Sequence, residues 1–127
     1  MGARTGRILV VDRDRRVRAA LRTLAHAAGH EVVAEAADVP AARRAIAEQA
    51  PALAVVDPML PTLSEGCALV RELSADGIAV LALSLRATAR PATRAAGAAA
   101  FLTKNCTPEQ VLEGLGRLLD DSAAPIG

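Results

Sequence analysis

The chain of 127 residues has no tryptophan, no tyrosine and a single phenylalanine, Phe101. Without aromatic rings to stack on bases, a single-strand nucleic-acid platform is disfavoured, and the core must be built from Leu, Val, Ile and Ala. Lysine is nearly absent as well. Lys104 is the only one, and fourteen arginines carry the remaining basic charge. The two cysteines, Cys67 and Cys106, lie far apart without the spacing of a metal site or a redox pair, which argues against a disulfide-stapled secreted fold. No apolar run approaches membrane-spanning length, and the N-terminus lacks the apolar stretch of a signal peptide. These absences point to a cytoplasmic protein with free thiols and no membrane partner.

What remains is ordinary globular material. Hydrophobic residues make up 52% and charged residues 23%, enough for one domain with a core. Alanine dominates the apolar set, which favours thin helices packed closely on a sheet. The net charge of +1 is far from that of a nucleic-acid binder, yet it is unevenly spread. Seven arginines between Arg4 and Arg22 face only Asp12 and Asp14. Such a run is read first as a solvated face. His26 and His30 have no partner residues nearby in sequence and are assigned surface or helix-end roles.

Short apolar strands alternate with amphipathic stretches. Strands are expected at Ile8 to Val11, His30 to Ala36, Ala52 to Val56, Ile78 to Leu83 and Ala99 to Leu102. The first, third and fourth are continuous apolar runs, as in parallel strands covered on both faces. Between them, Asp14 to Ala28 places Val17, Leu21, Leu24 and Ala28 on one helical face, with Gly29 as a stop signal. Asp38 caps a second helix that accommodates Pro40 in its first turn and runs to Gln49. Glu65 to Ser74 forms a third, with Leu69, Val70 and Leu73 inward. A weak fourth starts at Arg90-Pro91 and stops near Gly97. Thr107, Pro108 and Gln110 mark the start of a fifth by a capping box. Beyond about Asp120 the composition reads as a linker or tail. The βαβαβαβαβα order argues for a parallel sheet with right-handed crossovers and helices on both faces.

In such sheets ligands bind at the carboxyl ends of the strands. Those ends carry Asp12, Asp57, Ser84 and Lys104: two carboxylates, a hydroxyl and the only ammonium. Any one of them is explained by a strand end meeting water; their joint placement is not. The segments ILVVD, VVDPMLP, VLALS and AAFLTKN, in this order, resemble the signature segments of the response-regulator receiver family. The resemblance spans roughly Arg7 to Leu119, and KN followed by CTPEQVLEGL looks most like receivers of NarL/LuxR-type regulators.

The resemblance implies a flavodoxin-like (CheY-like) doubly wound α/β fold with five parallel strands in the order 2-1-3-4-5. It implies Asp57 as phosphoacceptor from a sensor histidine kinase, with Lys104 and Ser84 holding phosphoryl oxygens. It implies Mg²⁺ at Asp12, Asp57 and the Met59 carbonyl, and a switch through Ser84 and Phe101. The expected division is a receiver domain over residues 1–120 and a tail over 121–127. DNA would then be met only through an output domain outside this chain. The module would be no enzyme beyond self-phosphorylation, and a homodimer through the last helix is a family expectation. Val111, Leu115 and Leu118 would supply its stripe, unless they face the core.

The match departs from the family at one position that matters. Receivers usually carry two adjacent acids after the first strand, and here the pair reads Asp12-Arg13. Arginine cannot ligate Mg²⁺ and stays protonated. Its guanidinium is a candidate to pair with Asp57, and Asp14 a candidate to replace the lost ligand, although Asp14 suits a helix cap better. Pro58 biases Asp57 toward extended backbone, Thr-Leu-Ser-Glu replaces the usual glycine-rich turn after Pro61, and bulky Leu85 follows Ser84, where it would hinder entry. The segment from Ser84 to Gly97 is short, so a reduced or mobile fourth helix is expected. The alternative is a phosphorylation-independent pseudo-receiver acting as an interaction module. A flavodoxin-fold enzyme or nucleotide binder ranks lowest, because DRDRR stands where a glycine-rich phosphate loop would be.

Overall fold

The computed structural model describes residues 6–123, with side chains through residue 120. Its elements are β1 (Arg7–Val11), α1 (Arg15–Ala27), β2 (Glu31–Ala36), α2 (Val39–Gln49), β3 (Leu53–Val56), α3 (Leu63–Ala75), β4 (Ala79–Ser84), α4 (Arg90–Ala96), β5 (Ala100–Thr103) and α5 (Pro108–Ala123), with a 3₁₀ turn, Ala87–Ala89, before α4. All strand pairs are parallel, and the order is β2-β1-β3-β4-β5. This is the flavodoxin-like, CheY-like arrangement expected from the sequence.

The two-residue period of the strands divides the core in two. Leu9, Val11, Ala54, Val56, Val80, Ala82 and Phe101 face α2, α3 and α4, where Ala42, Ala45, Leu69, Val70, Leu73 and Ala96 meet them. Ile8, Val10, Leu53, Val55, Leu81 and Leu83 face α1 and α5, meeting Leu21, Ala25, Val111, Leu115 and Leu118. Alanine is frequent on the first side, so its helices sit close to the sheet. Val111, Leu115 and Leu118 are 5%, 2% and 6% exposed, so this stripe faces the core and offers no dimer surface.

Local signals account for the helix ends. Asp14 caps α1 by accepting from Arg16 N, and Asp38 caps α2 by accepting from Ala41 N. Thr107 and Gln110 close the capping box reciprocally, Gln110 N donating to Thr107 Oγ1 and Thr107 N to Gln110 Oε1. Helix α4 spans only seven residues before Gly97 at φ 118°, so it is reduced as expected.

Four expectations need correction. Helix α3 starts at Leu63 rather than Glu65, because Thr62 accepts from Glu65 N and caps it. On α1 the buried position is Ala25, one turn after Leu21, while Ala28 is exposed beyond the last turn. His30 is not at the surface. It is 7% exposed, and its Nδ1 accepts from Gly6 N at 3.3 Å. The backbone of α5 continues to Ala123, past Asp120; residues 124–127 of the expected tail lie outside the described residues. Among the described residues, no helix is long and apolar enough to cross a membrane.

Candidate functional site

Strand order places the reversal of connection direction between β1 and β3, the crevice where such sheets bind ligands. The residues just past the strands are held by continuing ladder bonds: Asp12 N to Ala36 O (3.0 Å), Asp57 N to Val11 O (2.9 Å) and Lys104 N to Ser84 O (2.8 Å). The backbones that carry the site are therefore extensions of the sheet.

Three of these side chains share one local motif. Asp12 Oδ1 accepts from Asp14 N at 2.8 Å, Asp57 Oδ1 from Met59 N at 3.0 Å, and Ser84 Oγ from Arg86 N at 3.1 Å. Each is a turn in which a short oxygen-bearing side chain bonds the N–H two residues on. Pro58 has no N–H, so Met59 offers the first donor after Asp57. The turn fixes one oxygen of each acid and leaves the other to point inward.

Lys104 collects those remaining oxygens. Its Nζ lies 2.8 Å from Asp12 Oδ2 and 2.8 Å from Asp57 Oδ2. The three side chains are 11%, 3% and 14% exposed. Burial is the largest single influence on the ammonium and acts against its charge. The hydrogen bonds and charges of Asp12 and Asp57 together outweigh it, and the Lys104 pKa is raised.

The structure brings Asp12, Asp57 and Lys104 into direct contact, with Ser84 fully buried at the end of the neighbouring strand. Arg13 stands apart. It is exposed, makes no ion pair with Asp57 within 4 Å, and lines a depression of about 200 Å³ with Ala37, Asp38, Leu60 and Pro61. Asp14 is committed to capping α1 and does not join Asp12 and Asp57 at Lys104. Leu85 is 79% exposed, standing in solvent. The Leu60-Pro61 peptide is cis.

No group of three His, Cys, Asp or Glu side chains suited to a metal occurs among the described residues. Mg²⁺ is nevertheless commonly held by one or two carboxylates, with water and phosphate oxygens filling the remaining positions. Asp12 and Asp57 converge on one cation, and the Met59 carbonyl follows in the same loop, so the set fits the ion in reduced form.

Two features escaped the sequence. Arg18 Nη1 donates to Asp12 O at 2.7 Å and its Nε lies 3.4 Å from Glu35, tying the first acid to β2. Its place four residues after the Asp14 cap was the available signal, masked by the surrounding arginines. Gly66 is the second. A Cβ there would fall 1.6 Å from Pro58 O, so α3 packs its backbone directly on the loop after Asp57.

The doubly wound sheet thus converges two acids on one lysine at its strand ends. The response regulator receiver domain profile matches residues 8–115, and the chain belongs to that family. Receiver domains are generally non-enzymatic signalling modules that interact with histidine kinases and typically bind Mg²⁺ at the acidic site.

Solved structures agree. A LuxR-family two-component response regulator from Aurantimonas sp. SI85-9A1 is 30% identical, with 93% of this chain and 87% of that one covered and a TM-score of 0.84. A CheY-like receiver domain protein from Methanospirillum hungatei JF-1 is 25% identical over 94% and 97% (TM-score 0.83). NtrX from Brucella abortus is 26% identical over 94% of this chain but only 28% of its own (TM-score 0.84). No curated protein sequence matches the chain.

Proposed function

We propose that the chain is a phosphorelay receiver whose phosphoacceptor is Asp57. One observation carries the reading: the Lys104 ammonium touches the Asp57 carboxylate and the Asp12 carboxylate at once. An Asp57 oxygen attacks the phosphorus of a phosphohistidine on a sensor kinase. The O–P bond forms as the P–N bond breaks, and the departing imidazole nitrogen keeps the electron pair and takes up a proton. Such a transfer needs positioning and charge neutralisation more than covalent help.

Lys104 already stands where a new phosphoryl oxygen on Asp57 would need a cation. The Ser84 hydroxyl accepts from Arg86 N, so its own proton is free to donate to a second phosphoryl oxygen. Asp12, Asp57 and the Met59 carbonyl would hold Mg²⁺, which when bound supplies further neutralisation of the phosphoryl charge.

Movement of Ser84 toward the phosphoryl group would draw on β4 and the short α4. Phe101 lies in the same core, 5% exposed, with the Arg90 guanidinium 5.0 Å from its ring centroid. The switch runs from Ser84 to this pair. The likeness to LuxR-family and NtrX regulators supports an output domain that binds DNA in a longer, cytoplasmic protein. Homodimerisation belongs to the same reading, through a surface other than the buried stripe of α5.

The test is intact-protein mass after incubation with acetyl phosphate and Mg²⁺. A single phosphoryl adduct is expected, absent in Asp57→Asn. If neither the wild type nor Arg13→Asp acquires an adduct, the module acts without phosphorylation and the phosphoacceptor reading is wrong.

A further inference from the structure

All four carboxylate oxygens of Asp12 and Asp57 already accept an N–H, two from backbone turns and two from Lys104. The formal charge nonetheless does not balance: two carboxylates face one ammonium. Arg13, the next residue after Asp12, brings the count to zero without a divalent ion. Its guanidinium makes no ion pair within 4 Å with any described carboxylate, although Asp38 lines the same depression, because the Asp38 side chain is turned to Ala41 N.

Its neighbours strengthen the field. Arg15 and Arg16 occupy the exposed first turn of α1, which contains no acid. Cations there oppose the helix dipole. A helix start favours anions, and this one adds arginines to it beside the acidic crevice. The charge at the mouth suits an incoming anion. Arg18 and Arg22, further along the helix, are instead paired with Glu35.

We propose that Arg13 is a catalytic residue of phosphoryl transfer, its exposed and unpaired guanidinium turning in to bind phosphoryl oxygens once a phosphodonor reaches Asp57, so that the transfer does not depend on a divalent cation. This rests on Asp57 as phosphoacceptor. A guanidinium presents two parallel donors that match two phosphoryl oxygens and keeps its proton throughout. With acetyl phosphate as donor, the Asp57 O–P bond forms while the donor's P–O bond breaks, and acetate leaves with that bond's electrons. No proton need move, and no oxidant or reductant is involved. The side chain is exposed, so replacing it leaves the core intact.

The experiment follows phosphoryl adduct formation from acetyl phosphate by intact mass, in EDTA and in Mg²⁺. It compares wild type, Arg13→Ala, Arg13→Lys, Arg13→Asp and Asp57→Asn, with calorimetric titration of Mg²⁺ alone into the unphosphorylated proteins. The wild type is expected to react in EDTA at a rate within about tenfold of that in Mg²⁺. Arg13→Ala loses on the order of 100-fold in EDTA, as for removal of one preorganised charge-stabilising donor, and Arg13→Lys recovers part of it. Arg13→Asp reacts only with Mg²⁺ and binds Mg²⁺ more tightly than the wild type.

Strict Mg²⁺ dependence in the wild type, with Asp57→Asn blank, would overturn the role of Arg13 while leaving the phosphoacceptor standing. Equal rates for Arg13→Ala and wild type in EDTA would do the same. An adduct on Arg13→Asp alone would show that Arg13 blocks the site. No adduct on any variant would remove both readings.

Discussion

Lys104 Nζ is 2.8 Å from Asp57 Oδ2, an ion pair that joins residues 47 positions apart at the ends of β5 and β3. It is made by the only lysine in the chain, which makes its titration unusually easy to isolate.

The Lys104 pKa is raised in the folded state. Its contribution to stability is therefore complete below the unfolded value of about 10.4, and is lost as pH rises through the folded value. No tyrosine is present to titrate in this range. Melting followed by far-ultraviolet circular dichroism should show a falling stability above about pH 10 in the wild type. Lys104→Met should lie about 3 kcal/mol lower at pH 8, as when one partner of a buried pair is removed, with the lysine-dependent part of the alkaline fall gone. Parallel alkaline limbs in the two proteins would contradict this account.

Gly66 touches the backbone of Pro58, where a Cβ would sit 1.6 Å from a carbonyl oxygen. Neither side of that contact is a flexible side chain, so α3 or the loop must move. Gly66→Ala should cost about 3 kcal/mol, toward the upper range for overpacking, and should slow phosphorylation of Asp57 by displacing its loop. Chemical denaturation read alongside adduct formation measures both. An unchanged midpoint would show that the loop yields freely.

Ala50 ends α2 at φ 44°, ψ 61°, a left-handed conformation that a Cβ disfavours by about 1 kcal/mol. Ala50→Gly should stabilise the protein by up to about that amount, with the looser unfolded glycine chain offsetting part of it. The change is distant from the site, so the melting temperature should rise with no effect on phosphorylation. A fall in melting temperature would mean that the methyl group packs better than the backbone geometry suggests.

Cys67 is 3% exposed, and burial pushes the pKa of the half-buried Cys106 thiol up. Since the thiolate is the reactive form, both should react slowly with a disulfide reagent at pH 7.5 and quickly in denaturant. A rate for Cys106 in the native protein equal to that of a free thiol would count against this burial.

Much of the fold was legible because it is written locally. Strand limits were readable within one residue, since apolar runs end where water begins. Asp38, Thr107 and Gln110 announced their helices by side-chain caps. The start of α3 was missed because Thr62 sits among Pro61, Leu63 and Ser64, where a cap and a loop look alike until Glu65 N is seen to bond it. His30 looked superficial because nothing near it in sequence marks its neighbour, Gly6, 24 residues earlier. The stripe on α5 had two readings, and only its burial against Leu81 and Leu83 decided for the core.

The site divides in the same way. Sequence alone determined that Asp12, Asp57, Ser84 and Lys104 end their strands, because the length of each apolar run sets where the chain leaves the sheet. It also determined that Arg13 directly follows Asp12. Only the tertiary structure decided that Lys104 bridges both acids, that Asp14 caps a helix instead of joining them, and that Arg13 turns away from Asp57. Those outcomes depend on strand order and on competition for donors among residues far apart in the chain. Periodicity fixes which way a side chain leaves its own strand, but not which charge meets it there.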